Sequence, residues 1–360
     1  MEEATTYKLG DISTMKYGKL PPKYINEGNY PIWSGYRYVG KCNEFNCNKG
    51  DIIIVARGVG GTGDVKIAKE DCYLTNLSIQ VKLDKNICQP EYFYYSYLLS
   101  NLKYLDSGSA QSQITIEDLK RLEVTLPPLE QQHKITDILK SIDEKIELNR
   151  QINDNLEQQA SSILSDWTST YPCRTYKLSD ICKYVSAKCD TGNLTSQNYI
   201  STENMLPNKK GIVDASNIPT GKVTCFKVDD ILIANIRPYF QKIWKADTSG
   251  GCSTDVLCIR SCVESHSPIL YWILHQDAFF EYVMTGAKGC KMPRGDKQHI
   301  MNWTIDLPEP DYWADIATQL GAVDQRIAYN RIESNNLSNL RDTLLPKLMS
   351  GELKINEIDC

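Results

Sequence analysis

One stretch constrains this chain more than any other. Residues 129–167 read LEQQHKITDILKSIDEKIELNRQINDNLEQQASSILSDW, 39 residues with neither proline nor glycine. Apolar side chains recur at Ile135, Ile138, Leu139, Ile142, Ile146, Ile152, Leu156 and Ile163, which is the period of a helix and not of a strand. At ~1.5 Å per residue a continuous helix here is about 58 Å long, well beyond the usual globular helix. One seam advances by sevens through Ile135, Ile142, Asn149, Leu156 and Ile163. A heptad seam requires a partner helix.

The chain supplies that partner through an internal repeat. KLGDI at 8–12 returns as KLSDI at 177–181, and DIIIVAR at 51–57 returns as DILIANIR at 230–237. Leu126-Pro127 matches Leu307-Pro308, and IDEKI at 142–146 with Asn149-Arg150 matches VDQRI at 323–327 with Asn330-Arg331, at an offset of 181. The seam therefore maps onto Val323, Asn330, Leu337 and Leu344, asparagine on asparagine. A buried asparagine in such a seam lowers stability but fixes register, so the two helices are expected to pair with each other. The competing arrangement packs each helix only on its own domain. The expected fold is α+β: a tandem duplication of a mixed α/β domain and a long helix, the helices forming an antiparallel coiled coil with pseudo-two-fold symmetry. The expected domains are a first head at 1–128, a helix at 129–170, a second head at 171–310, and a second helix with a tail at 311–360.

Composition narrows the class. With 41% hydrophobic and 24% charged residues, the chain reads as an ordinary soluble globular protein. The opening MEEATTYKLGD is polar and acidic, and no apolar run approaches a membrane span, so a cytoplasmic protein without membrane association is expected. Thirteen cysteines without C-x-x-C spacing read as free thiols in the core, with no metal site. Charge is unevenly spread. Residues 1–126 are neutral and 171–308 carry net +3, whereas 127–170 and 309–360 carry −4 each. The negative charge thus sits in the helical segments, leaving the heads neutral to mildly basic. Two similar heads on a spacer suit a ligand with two spaced sites, such as duplex DNA.

Specific motifs sharpen this reading. LPPLEQQHKITDILKSIDEKIELNRQIN at 126–153, LRDTLLPKLMSGEL at 340–353, the paired K-L-x-D-I starts and ILIANIRPYFQKIW at 231–244 resemble, in order, the spacer helices and two target recognition domains of type I restriction-modification specificity subunits. The resemblance covers nearly the whole chain. It implies a non-catalytic subunit in which each recognition domain reads one half of a bipartite, asymmetric DNA site. The helices would set the unread spacer and dock two methyltransferase subunits. Motor-nuclease subunits would complete the complex. S-adenosylmethionine, ATP and Mg²⁺ would belong to those partners, with no cofactor in this chain.

The residues themselves offer little for catalysis. Gly58, Gly60 and Gly63 match G-x-G-x-x-G, but residues 64–68 read as a strand where a dinucleotide site needs a helix. No P-loop, nucleophile elbow or H-E-x-x-H occurs. Arginine and lysine favour guanine edges and phosphates, and glutamine favours adenine. The candidate DNA contacts are therefore Arg57, Lys66, Gln111 and Gln113 in the first head, on the glycine loop and SGSAQSQ at 107–113. In the second they are Arg237, Tyr239, Lys242, Lys288, Lys291, Arg294 and Lys297, the last four on the basic run KGCKMPRGDK at 288–297. Glu144, Glu147, Arg150 and Arg331 are candidates for the outer, partner-facing surface of the helices. The other reading from a different class is a coiled-coil scaffold whose heads bind protein or glycan.

Overall fold

The structure, a computed structural model, describes residues 4–20, 27–35, 37–58, 61–106 and 113–353. Two long helices dominate it, Leu129–Thr170 and Trp313–Ser350. The first begins where Pro127 and Pro128 end a strand, because proline lacks an N–H but fits a first helical turn. Pro172 follows its end. The chain divides into two compact units whose boundaries fall inside both helices. One comprises residues 1–147 and 334–360, the other residues 148–333.

In unit one the strand Thr5–Lys8 pairs antiparallel with Glu123–Leu126, tying the start of the head to the residues that enter the helix. A four-stranded antiparallel sheet runs in the order Ser13–Tyr17, Ser78–Leu83, Ile52–Val55, Val65–Ile67. A smaller sheet joins Arg37–Cys42, Tyr30–Ser34 and Tyr73–Leu74, the last pair parallel. The core packs Leu9, Ile52, Ile54, Ile79, Phe93, Leu119 and Leu126 against Ile135 and Leu139 of the first long helix and Leu345 and Leu348 of the second. The start of one helix therefore lies beside the end of the other, an antiparallel pair. Gln132, buried, clamps the head to the helix. Its Oε1 accepts from Gln89 N at 2.9 Å, and its Nε2 donates to the carbonyls of Ile87 and Pro127 at 2.9 and 2.8 Å. The aromatic run that begins at Pro90 forms a short helix, Pro90–Ser96. The chain turns after Ser96 because Leu102 is fully buried and its N–H donates to the Gly63 carbonyl at 2.9 Å.

Unit two repeats the plan. Cys173–Lys177 pairs with Thr304–Pro308, and a four-stranded antiparallel sheet runs Cys182–Tyr184, Val256–Ser261, Ile231–Ala234, Ile243–Lys245. The echo between 51–57 and 230–237 is thus a structural equivalence, the central strand of each sheet. A parallel pairing of Tyr199–Ile200 with Gly250–Cys252 matches the parallel pair of unit one, in a sheet completed by Lys188–Asp190 and Lys222–Phe226. Leu164 and Trp167 pack with Ile316, Leu320 and Val323 in the main core, so the helices are antiparallel here too. Asn149 and Asn330 are both fully buried. Asn149 Nδ2 donates to Glu333 Oε2 at 2.7 Å, and Asn330 Nδ2 to Asn153 Oδ1 at 2.8 Å.

Of the other seam positions, Ile135, Ile142 and Val323 are buried, whereas Leu156, Ile163, Leu337 and Leu344 are half-buried. Of the positions four residues beyond the first-helix seam, Leu139, Ala160 and Trp167 are buried, whereas Ile146 and Asn153 are half-buried. A second row beside the first is what a helix packed against both a partner and a head requires. Among the described residues seven cysteines are buried and none is in a disulfide. Among the described residues no three metal-ligating side chains cluster, and no helix is long and apolar enough to cross a membrane.

Candidate nucleic-acid interface

In unit two the segment after the central strand, residues 235–241, is held in an unusual backbone. Arg237 and Gln241 have φ of +52° and +50°, and Asn208 and Lys209 have +55° and +61°. Left-handed conformations cost non-glycine residues of order 1 kcal/mol each and persist only where neighbours over-determine them. Here they do. Arg237 N donates to Pro293 O at 2.7 Å, while Asn208 N and Lys209 N donate to the Phe240 and Gln241 carbonyls at 2.8 and 2.9 Å.

The basic run forms a hairpin. Lys288 and Arg294 exchange backbone hydrogen bonds, each 2.9 Å, and Gly289 takes a φ of +100° that favours glycine. Arg294 also bridges to Ile236. The hairpin is thus docked on the segment that carries Arg237, and the structure brings these two groups of candidates together.

Their side chains differ in freedom. Lys288 pairs with Asp296 at 2.6 Å yet remains largely exposed. Asp296 also caps the helix Lys297–Met301, and Lys288 with those N–H donors holds its carboxyl down at about 2. Arg294 reaches Asp255 at 3.1 Å from an exposed position. Lys297 lies 5.7 Å from the Tyr184 ring centroid. Lys291 is exposed and has no ion pair among the described residues. Lys242 is committed internally. Its Nζ donates to Thr202 O at 2.6 Å, and burial lowers its pKa. Arg237 is half-buried, with no partner for its Nε among the described residues. Tyr239, Phe240 and Met292 expose apolar surface on these same segments. Phe240 and Met292 escaped the sequence reading because apolar exposure follows from the docking of two distant segments.

Unit one has a counterpart at the same place in the repeat. The five-residue helix Ile116–Lys120 lies 181 residues before Lys297–Met301, and SGSAQSQ at 107–113 lies 181 residues before 288–294. Ile114 N donates to Ala56 O at 2.9 Å, as Gly295 N donates to Asn235 O at 3.2 Å. Gln113 and Arg57 are therefore on adjoining segments. Gln113 N donates to Asp106 Oδ1 at 2.8 Å, and Arg57 Nη2 reaches Asn76 O at 3.4 Å. Lys66 lies on the edge strand opposite Ile53 and is half-buried. Gln111 lies outside the described residues. The glycine loop leads into the strand Val65–Ile67, so no helix N-terminus is available for a dinucleotide. A Cβ on Gly63 would meet Lys103 N at 2.4 Å; that glycine permits backbone packing.

On the helices, Glu144 is exposed beside Lys140, and Arg150 pairs with Asp154 at 2.6 Å. Arg331, expected on the outer face, instead pairs with Asp247 of the head of unit two. A half-buried arginine is kept where a carboxylate compensates its desolvation.

Comparison with known proteins agrees with this architecture. Residues 1–158 match the family model for the type I restriction modification DNA specificity domain. The chain is 21% identical over 369 residues to the type I restriction enzyme MjaIX specificity subunit of Methanocaldococcus jannaschii, covering 93% of this chain and 84% of that protein. A shorter match, 35% over 105 residues, covers 27% of this chain and 23% of the HindI specificity subunit of Haemophilus influenzae. The crystal structure of the type I restriction-modification S subunit from M. genitalium superposes with a TM-score of 0.60 at 20% identity, covering 96% of each chain.

Proposed function

We infer that this chain, which belongs to the family of type I restriction-modification specificity subunits, is a non-catalytic DNA-recognition subunit that reads a bipartite, asymmetric site, one half with each head. The supporting observation is the doubled site. In sequence, each head carries just before an equivalent five-residue helix a segment that differs between the heads but falls at the same place in the repeat, SGSAQSQ and KGCKMPR. Equivalent frames carrying unlike side chains suit two unlike half-sites. The near-neutral charge of the heads suits a reader that shares phosphate binding with other subunits.

The helix pair acts as the spacer between half-sites and as the docking surface for two methyltransferase subunits, with motor-nuclease subunits joining the restriction complex in the cytoplasm. S-adenosylmethionine, ATP and Mg²⁺ are then the partners' cofactors. Expression with a type I methyltransferase subunit, followed by mapping of methylated adenines with and without this chain, tests the reading. A single bipartite motif that depends on this chain is expected. Absence of both copurification and site-specific methylation would favour the scaffold whose heads bind protein or glycan.

A further inference from the structure

The long helices carry an aspartate at the same place in the repeat, Asp143 in the first and Asp324 in the second. Each is held by donors of its own unit. In unit one Asp143 Oδ2 accepts from the Tyr95 hydroxyl at 2.8 Å, and Oδ1 from Arg341 Nη1 at 2.7 Å. In unit two Asp324 Oδ1 accepts from Trp272 Nε1 at 2.8 Å, and Oδ2 from Lys245 Nζ at 2.6 Å. Tyr95 lies on the helix Pro90–Ser96, after the strand Ser78–Leu83; Trp272 lies on Ser267–Leu274, after the equivalent strand Val256–Ser261. The pattern is thus one carboxylate, one aromatic donor from the head and one cation. The carboxylate repeats in the sequence, but its donors do not: tyrosine with an arginine of the other long helix, against tryptophan with a lysine of the head's sheet.

Most contacts between head and helix are apolar and non-directional; alongside Gln132 in unit one and Arg331 in unit two, these bonds are among the directional ones. A carboxylate taken out of water recovers its desolvation cost only in a narrow geometry. The cost is visible at Asp324, where burial pushes the carboxyl above its ordinary range even with Lys245 beside it. A head that slid or rotated on its helices would strand that carboxylate.

We propose that Asp143 and Asp324 are positioning residues, each fixing the orientation of its own head on the helix pair and thereby the base preference of that head's half-site alone. The proposal rests on the DNA-reading function inferred above. Tyr95→Phe removes only a hydroxyl, and Asp324→Asn keeps an acceptor for Trp272 while losing the charge paired with Lys245. Each full-length variant, assembled with the methyltransferase subunit and shown folded by its thermal melt, is scored by methylation of DNA carrying single-base changes in either half-site. Tyr95→Phe should lose roughly tenfold discrimination in one half-site and Asp324→Asn in the other, on the scale of a mismatched base pair. Equal loss in both half-sites, or a uniform fall in methylation with base preference unchanged, is what a purely structural role gives, and either overturns the proposal. So does an unchanged profile. If Asp324→Asn fails to fold, Trp272→Phe carries that arm. A wild-type complex that methylates no specific site refutes the DNA-reading function, and the positioning role with it.

Discussion

Asn330, itself fully buried, donates through its side-chain amide to Oδ1 of the half-buried Asn153 at 2.8 Å in the paired helices of unit two. A polar bond at that place adds little net stability but specifies one register. Asn330→Leu should leave Asn153 without this partner and destabilise the chain by about 1–3 kcal/mol, read from urea unfolding. An unchanged midpoint would mean that leaving Asn153 without this partner costs the fold nothing.

The basic hairpin divides into groups with different expected effects. Lys291 is exposed with no ion pair among the described residues, so Lys291→Ala should weaken binding evenly across sequences and reduce the salt slope by about one. Arg294 is fixed by backbone bonds to Lys288 and by a bridge to Ile236. Arg294→Ala should cost about 1–3 kcal/mol on the cognate duplex and relax one half-site. Titration of the assembled complex at several salt concentrations separates the two; unchanged affinity and methylation for Arg294→Ala would remove it from the interface.

The spacer role predicts a change in gap without a change in half-sites. Seven residues added to each long helix, after Glu147 and after Glu333, lengthen each by about 10.5 Å and preserve the heptad. The methylated motif should then widen its unread gap by about three base pairs at ~3.4 Å each. An unaltered gap in a folded variant would end the ruler interpretation.

Burial, with Lys209 adding to it, pushes the His275 imidazole down to about 3 from 6.5. The folded chain therefore refuses a proton that the unfolded chain accepts. This contribution to stability is full above pH 6.5 and is lost as pH falls toward 3. By pH 5 the loss is on the order of 2 kcal/mol. His275→Phe should flatten the fall in urea midpoint between pH 7.5 and 5.0; an equally steep fall in the variant would place the effect elsewhere.

The duplication, the two long helices and the central strand of each head were legible because each leaves a local, periodic or repeated trace. Seven-residue spacing announces a helix that needs a partner, and 181-residue spacing names that partner. The candidate cations were legible by type alone. Lys242 and Lys291 look alike in sequence, yet one is bound to a carbonyl and the other is exposed.

What the sequence by itself determined was the partnership of the helix at 129–170 with the one within 311–360 and the repeat of one head plan, since heptad spacing and internal repetition are patterns within the chain. Only the tertiary structure decided which segments meet: Pro293 with Arg237, Ile114 with Ala56, Tyr95 with Asp143 and Trp272 with Asp324. Those pairings join residues far apart in the chain through single hydrogen bonds. A directional bond between distant groups leaves no periodicity for a sequence to display.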